Sequence, residues 1–447
     1  MSPAATPASW DECAGESAVD VVDHSVELTV SLAPRSLSGV GDVRVRATRA
    51  TGVAVLDARD LQISDARAVG KPAAFHLTDG RVCVRLPRSL ASGEESVLHF
   101  VWTTPTDHDV PHFSATDVWA GYTTSAWMPT RLDSAQRATL HLRIHAPPSL
   151  TVVGSGRRIL DRENARSDSF VVDVPSPPFL FAFAAGRFDE TTLDTPHLRL
   201  RALVPPGVDP GEVHDALVVT AQSLAFLERS TGTLLPLQEY TQVFVSGEAA
   251  QEAVGMAVLS VDALADLRKD PKEDWVFTHE LAHQWFGVWI PCDDFHDFWL
   301  NEGFATFLTG AAKERRWGST AYDHELVLWR QRSARVHEQA NDAPLALSLP
   351  APLPSHDAGL ARGAGSTSVD AKLQPRGVTY SRGALVLAKL RAELGDEAFW
   401  SGIQTYAHDR RLKGARTSDV RVALEAASGR DLAPFFAKWV YAAAYEL

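Results

Sequence analysis

A chain of 447 residues is long for one compact core and implies two or three domains. Hydrophobic residues at 45% and charged residues at 22% are those of an ordinary globular protein, and a net charge of −13 argues against nucleic acid or an anionic membrane surface as main partner. Cys13, Cys83 and Cys292 are widely spaced and odd in number, so they imply no disulfide framework, and Cys292 reads as a packed thiol.

Residues 1–18 are rich in Ala, Pro and Ser and are expected as a disordered tail. They lack the basic and apolar regions of a signal peptide, and no apolar run is long enough to span a bilayer, so a cytoplasmic location without membrane contact is expected. From Val21 the period becomes two. Val26, Leu28, Val30 and Leu32 alternate with polar neighbours, as do Val43, Val45 and Ala47, and Ala138, Leu140, Leu142 and Ile144. Short strands punctuated by Gly, Pro, Ser and Asp continue to about Phe188. This predicts an N-terminal all-β sandwich over residues 19–189.

Leu198, Leu200 and Ala202 suggest a further strand. Asp209-Pro210-Gly211-Glu212 has the chemistry of a helix start, with Val213, Leu217, Thr220, Leu224 and Leu227 on one side. Gln242–Val245 is expected as a strand at a sheet edge, where an extended substrate could pair with main chain. The segment from Asp270 to Glu302 is the richest in chemistry. Asp270 is expected as N-cap, Pro271 as the first helical residue and Glu273 as partner in a capping box, with Gly287 as the stop. On that helix His279 and His283 are four apart and present two imidazoles from one face. Glu302 follows after eighteen intervening residues, early in a second helix that runs from near Phe298 toward Trp317-Gly318. Two imidazoles and a carboxylate leave one position open on a tetrahedral ion, the pattern of a catalytic rather than a structural zinc. Residues 341–377 are rich in Pro, Ala, Ser and Gly and are expected as a long loop insertion. After it, Leu385, Leu387, Leu390 and Leu394 mark another helix, which ends at Gly395.

His279-Glu280-Leu281-Ala282-His283-Gln284-Trp285-Phe286-Gly287, followed by Trp299-Leu300-Asn301-Glu302-Gly303-Phe304-Ala305, resembles the gluzincin zinc aminopeptidases, the family of aminopeptidase N and leukotriene hydrolase. The resemblance implies an α+β multidomain fold, with the N-terminal sandwich followed by a thermolysin-like α/β catalytic domain over 190–447. It implies one Zn²⁺ held by His279, His283 and Glu302, with Glu280 as general base. Ala249-Ala250-Gln251-Glu252-Ala253 occupies the place of the family's Gly-Ala-Met-Glu-Asn motif, and Glu252 matches the glutamate that binds the substrate's α-ammonium, although Gln251 and Ala253 depart from the pattern. Tyr380-Ser381-Arg382-Gly383 resembles Tyr-Glu-Lys-Gly, whose tyrosine stabilises the tetrahedral intermediate. Trp127 to Ile144 is similar to the family's first domain, yet 118–122 lacks the glutamine that helps hold the substrate amine in relatives. Asp431 to Val440 matches the close of the catalytic domain, and ending at Leu447 implies a short form without the C-terminal helical domain and with a more open cleft. The implied activity is removal of the first residue from peptides with a free N-terminus. A zinc endopeptidase and a catalytically silent scaffold of the same fold stay open as alternatives.

Overall fold

A computed structural model describes residues 10–159, 167–339, 342–346 and 376–443. The chain separates into two compact units, one built from residues up to Gly186 except Asp133–Ala135, the other from those three residues and Arg187 onward. The expected α+β organisation is present, strands first and a helical unit after.

The first unit is built on an eight-stranded sheet. Its spatial order is Arg157–Ile159, Ser167–Ser176, Ala138–His145, Val19–Leu32, Arg35–Ala47, Glu95–Thr104, Gln62–Ala68 and Lys71–Pro72. Every neighbouring pair is antiparallel except Val19–Leu32 with Ala138–His145. The period-two pattern is what buries one face: Val26, Leu28, Val30, Val43, Val45, Leu140 and Leu142 are buried while Glu27, Thr29, Arg44 and Arg46 are exposed. Smaller sheets of four and three strands complete the unit. Trp102 joins layers, its indole donating to the Trp127 carbonyl at 2.9 Å, and the Trp127 ring meets Phe183 of the four-stranded sheet edge-on.

Two expectations are corrected here. Residues 10–18 are not a loose tail, because Asp11–Ala14 form a 3-10 turn and Cys13 is buried against Val53, Val55 and Cys83. Cys13 and Cys83 form a disulfide with Cα atoms 5.9 Å apart, a pairing that spacing alone does not reveal because it joins residues 70 apart. Cys292 is buried and takes no part in a disulfide, in line with the packed thiol expected.

The second unit opens on a five-stranded sheet in the order Asp189–Asp194, Arg199–Val204, Glu239–Val245, Met256–Ser260 and Ala250–Ala253. Its centre is parallel, and helix α1 (Pro210–Thr231) makes the crossover between Arg199–Val204 and Glu239–Val245. The Asp209 carboxylate caps α1 by accepting from the Gly211 amide at 2.7 Å. The strand expected at the edge is central instead, since Glu239–Val245 pairs on both sides. One edge belongs to Ala250–Ala253, which pairs antiparallel with Met256–Ser260 and carries Glu252, and the other to Asp189–Asp194. Helices α2 (Asp262–Lys269), α3 (Trp275–Ala282), α4 (Trp299–Trp317), α5 (Ser319–Glu338), α6 (Gly383–Leu394), α7 (Asp396–Arg410), α8 (Thr417–Ser428) and α9 (Ala433–Trp439) follow. Most of the loop expected over 341–377 lies outside the described residues.

Candidate active site

Helix α3 begins four residues later than its sequence suggests. Asp270 closes α2, and its carboxylate accepts from the Lys272 amide at 3.0 Å, making a tight turn in place of a helix cap. The start of α3 is fixed by a non-local contact. Asp274 is fully buried and pairs with Arg316 of α4 at 2.8 Å, and Arg316 also donates to Ser223 of α1 and Thr278 of α3. From Val276 to Ala282 every residue is buried, so this helix is a core element carrying polar groups inward. The chain leaves it through a wide turn over Gln284–Trp289, where Gly287 adopts φ +136°, a region that favours glycine.

That turn orients one of the candidate ligands. The Phe286 carbonyl can only accept, so His283 donates to it from Nδ1 at 3.0 Å and presents Nε2 inward. His279 Nε2 lies 3.2 Å from His283 Nε2, and Glu302 Oε2 lies 3.4 Å from the first and 3.5 Å from the second. Three donor atoms bound at about 2.0–2.1 Å in a tetrahedron would stand roughly 3.3–3.4 Å apart. The donor set and its spacing therefore fit zinc. All three side chains are buried.

Electrostatics make the same point. Glu252, Glu280 and His283 form a second convergent group, with ligand atoms within 4.8 Å of one another. Burial pushes the His283 imidazole down, but the carboxylates of Glu252, Glu302 and Glu280 outweigh it and raise it to about 10. Burial pushes Glu302 up, and the two imidazoles hold it well below the usual carboxylate range. Buried Tyr240 is raised well above 10 by burial and by Glu280 and Glu252. Three buried carboxylates converging on two imidazoles create a field that a divalent cation satisfies.

The remaining residues singled out in the sequence line the same cavity of about 310 Å³: Glu252, Glu280 and Tyr380. Gln251 donates to the Glu252 carboxylate at 3.0 Å. Gln284, just past the metal helix, accepts from the Gly255 amide and donates to the Ala253 carbonyl, both at 2.9 Å. It thereby ties the edge strand that carries Glu252 to the helix that carries the histidines. Tyr380 sits in a turn over Arg376–Arg382, its ring parallel to His279 with centroids 5.8 Å apart. Two contacts hold that turn. Gly383 packs so closely on Gly303, beside Glu302, that a Cβ on Gly383 would come within 2.9 Å of the Gly303 Cα. Arg382, fully buried, donates to the Ala343 carbonyl at 2.9 Å and pairs with Asp342. The parts played by Gln284, Arg382, Asp342 and Tyr240 escaped the sequence reading, because they depend on partners distant in the chain.

Comparison with known proteins places this geometry among relatives. Residues 216–439 match the family model described as the peptidase family M1 domain. The chain is 25% identical over 328 residues to aminopeptidase N of Streptomyces lividans, an alignment covering 68% of this chain and 35% of that protein. It is 30% identical over 278 residues to the mitochondrial aminopeptidase 2 of Saccharomyces cerevisiae, covering 58% and 27% respectively. The chain thus spans about a third of the length of these curated relatives. The fold is similar to the crystal structure of an M1 zinc metallopeptidase from Deinococcus radiodurans, with a TM-score of 0.72 at 22% identity, over 96% of this chain and 95% of that one. A mutant of that enzyme bound to a Tyr-Ser-Ala substrate is equally similar, with a TM-score of 0.72.

Proposed function

The chain belongs to peptidase family M1, and on that premise we propose that it is a zinc-dependent aminopeptidase that removes the first residue from peptides with a free N-terminus. The observation that carries this reading is Glu252, a buried carboxylate on an edge strand, beside Glu280 and His283 and outside the three-ligand set. An endopeptidase has no use for a buried anion there, whereas an α-ammonium neutralises it. One Zn²⁺ held by His279, His283 and Glu302 would polarise the scissile carbonyl and make a water more acidic. Glu280 takes a proton from the attacking water and delivers it to the leaving amine nitrogen. Tyr380 donates to the carbonyl oxygen as charge gathers there, an interaction worth about 3 kcal/mol in comparable sites. Glu252 fixes the amine, so cleavage falls after one residue.

The partner is a peptide, not nucleic acid. Among the described residues no helix is long and apolar enough to cross a membrane. A cytoplasmic location belongs to the same reading, and the Cys13–Cys83 disulfide opposes it, since reducing pools keep such thiols open. Counting thiols in protein alkylated at harvest decides the matter: three free thiols favour the cytoplasm, and one, from Cys292, an oxidising compartment.

The activity is tested by mass spectrometry on paired free and N-acetylated peptides. Stepwise single-residue losses from the free peptides alone are expected. Internal cuts, or equal cleavage of both sets, would overturn the aminopeptidase assignment.

A further inference from the structure

Beyond the metal the cavity runs between two facing helix stripes. Thr306, Thr309 and Lys313 recur at helical spacing along α4, and Glu325, Leu328, Trp329 and Arg332 do so along α5. The two helices are antiparallel neighbours joined at Gly318, and two contacts set their register. Lys313 Nζ meets Glu325 at 2.6 Å, and a Cβ on Gly310 would touch the Trp329 ring at 2.6 Å. Seven residues back from Lys313 is Thr306, and seven on from Glu325 is Arg332, so these two come opposite each other. Thr306 is one turn past the ligand Glu302, a climb of roughly 6 Å.

Both residues line the cavity, Thr306 from within and Arg332 from its solvent-exposed side. Thr306 is buried, and its Oγ1 has no hydrogen-bond partner in the protein. Arg332 lines the cavity, and among the described residues its guanidinium has no ion-pair partner. The other cation on these stripes, Lys313, is already neutralised by Glu325. An extended peptide advances about 3.5 Å per residue, so a group roughly 6 Å beyond the metal ligand lies one or two residues past the scissile bond.

We propose that Arg332, with Thr306, forms a subsite for the free α-carboxylate of a short peptide, so that the favoured substrates are dipeptide and tripeptide acids. The inference rests on the aminopeptidase reading and adds the far end of the substrate to it. A cavity of about 310 Å³ is at the small end of ligand sites, which suits such substrates. Arg is the side chain suited to the task, because its planar fork meets a carboxylate through two parallel hydrogen bonds.

The test compares kcat/KM for dipeptides and tripeptides as C-terminal acids and as amides, in wild type and in Arg332→Gln. In wild type the acid is expected to be favoured by about tenfold, mainly through KM. In Arg332→Gln the ratio should collapse toward one. Equal rates for acid and amide in wild type, or an unchanged ratio in the variant, would overturn the subsite. An aminoacyl p-nitroanilide, which has no C-terminal carboxylate, separates the two readings. Release of nitroaniline without acid preference removes the subsite alone, whereas no cleavage of any free-amine substrate removes both.

Discussion

The two units bury different things. In the β unit the buried interior of the described residues is apolar or neutral, with Asp117 the exception among carboxylates. In the helical unit Glu252, Asp274, Glu280, Glu302 and Glu325 are buried together with Arg201, Lys313 and Arg382. Taking a charge out of water costs several kcal/mol unless a partner or an ion compensates. Those far from the histidines have found partners, as Asp274 has in Arg316 and Glu325 in Lys313. Those around His283 converge where a cation belongs. The contrast teaches that buried charge, more than any single motif, marks the candidate site of this molecule, and that the ion pairs around it act as braces.

The largest effect should come from removing a ligand. Glu302→Ala is expected to lose bound zinc by elemental analysis and to drop activity to background. A variant that keeps one zinc per chain would break the contrast, because the buried charges would then not be organised around a metal. Next, Glu280→Gln should retain zinc while kcat falls about 10²- to 10⁴-fold, since a base and not a ligand is lost. Near wild-type turnover would remove Glu280 from the reaction.

The brace idea is sharpened at Arg382. Arg382→Lys keeps the charge but not the fork that reaches both Ala343 and Asp342, and a fall in kcat of about tenfold is expected with little change in KM. If Arg382 works by holding Tyr380, the same substitution should cost almost nothing more in a Tyr380→Phe background. An equal loss in both backgrounds would make it a general stability element.

The last effect belongs to the β unit, leaves activity untouched and concerns stability alone. Burial pushes the His24 imidazole down to about 4, from 6.5. The unfolded chain therefore binds a proton that the folded one refuses, so stability is full above pH 6.5 and falls as pH drops toward 4. The total loss is about 3 kcal/mol. A urea-unfolding series across that window should flatten in His24→Leu, and an identical slope in the variant would contradict the assignment.

The alternation of Val26, Leu28 and Val30 was readable locally because side chains two apart on a strand share a face. The same holds for His279 and His283, whose spacing is set by the helical repeat, and for Glu302 in the first turn of α4. Asp270 misled because Asp-Pro opens turns as well as helices, and here Asp274, gripped by Arg316, decides where α3 starts. Position along the chain also cannot tell an edge strand from a central one, since that depends on which neighbours arrive. Glu239–Val245 was enclosed by two parallel partners, leaving the rim to Glu252's strand.

By itself, then, the order of residues determined the periodic elements and the pairing of His279 with His283 on one helix face, because both depend on intervals short enough for one helix turn or one pleat to impose. Only the tertiary structure decided that Cys13 meets Cys83, that Gln284 ties the Glu252 strand to the His279 helix, that Arg382 holds the Tyr380 turn, and that Lys313 meets Glu325. Each of those pairings joins segments with no shared repeat, and packing and buried charge, not local spacing, select them.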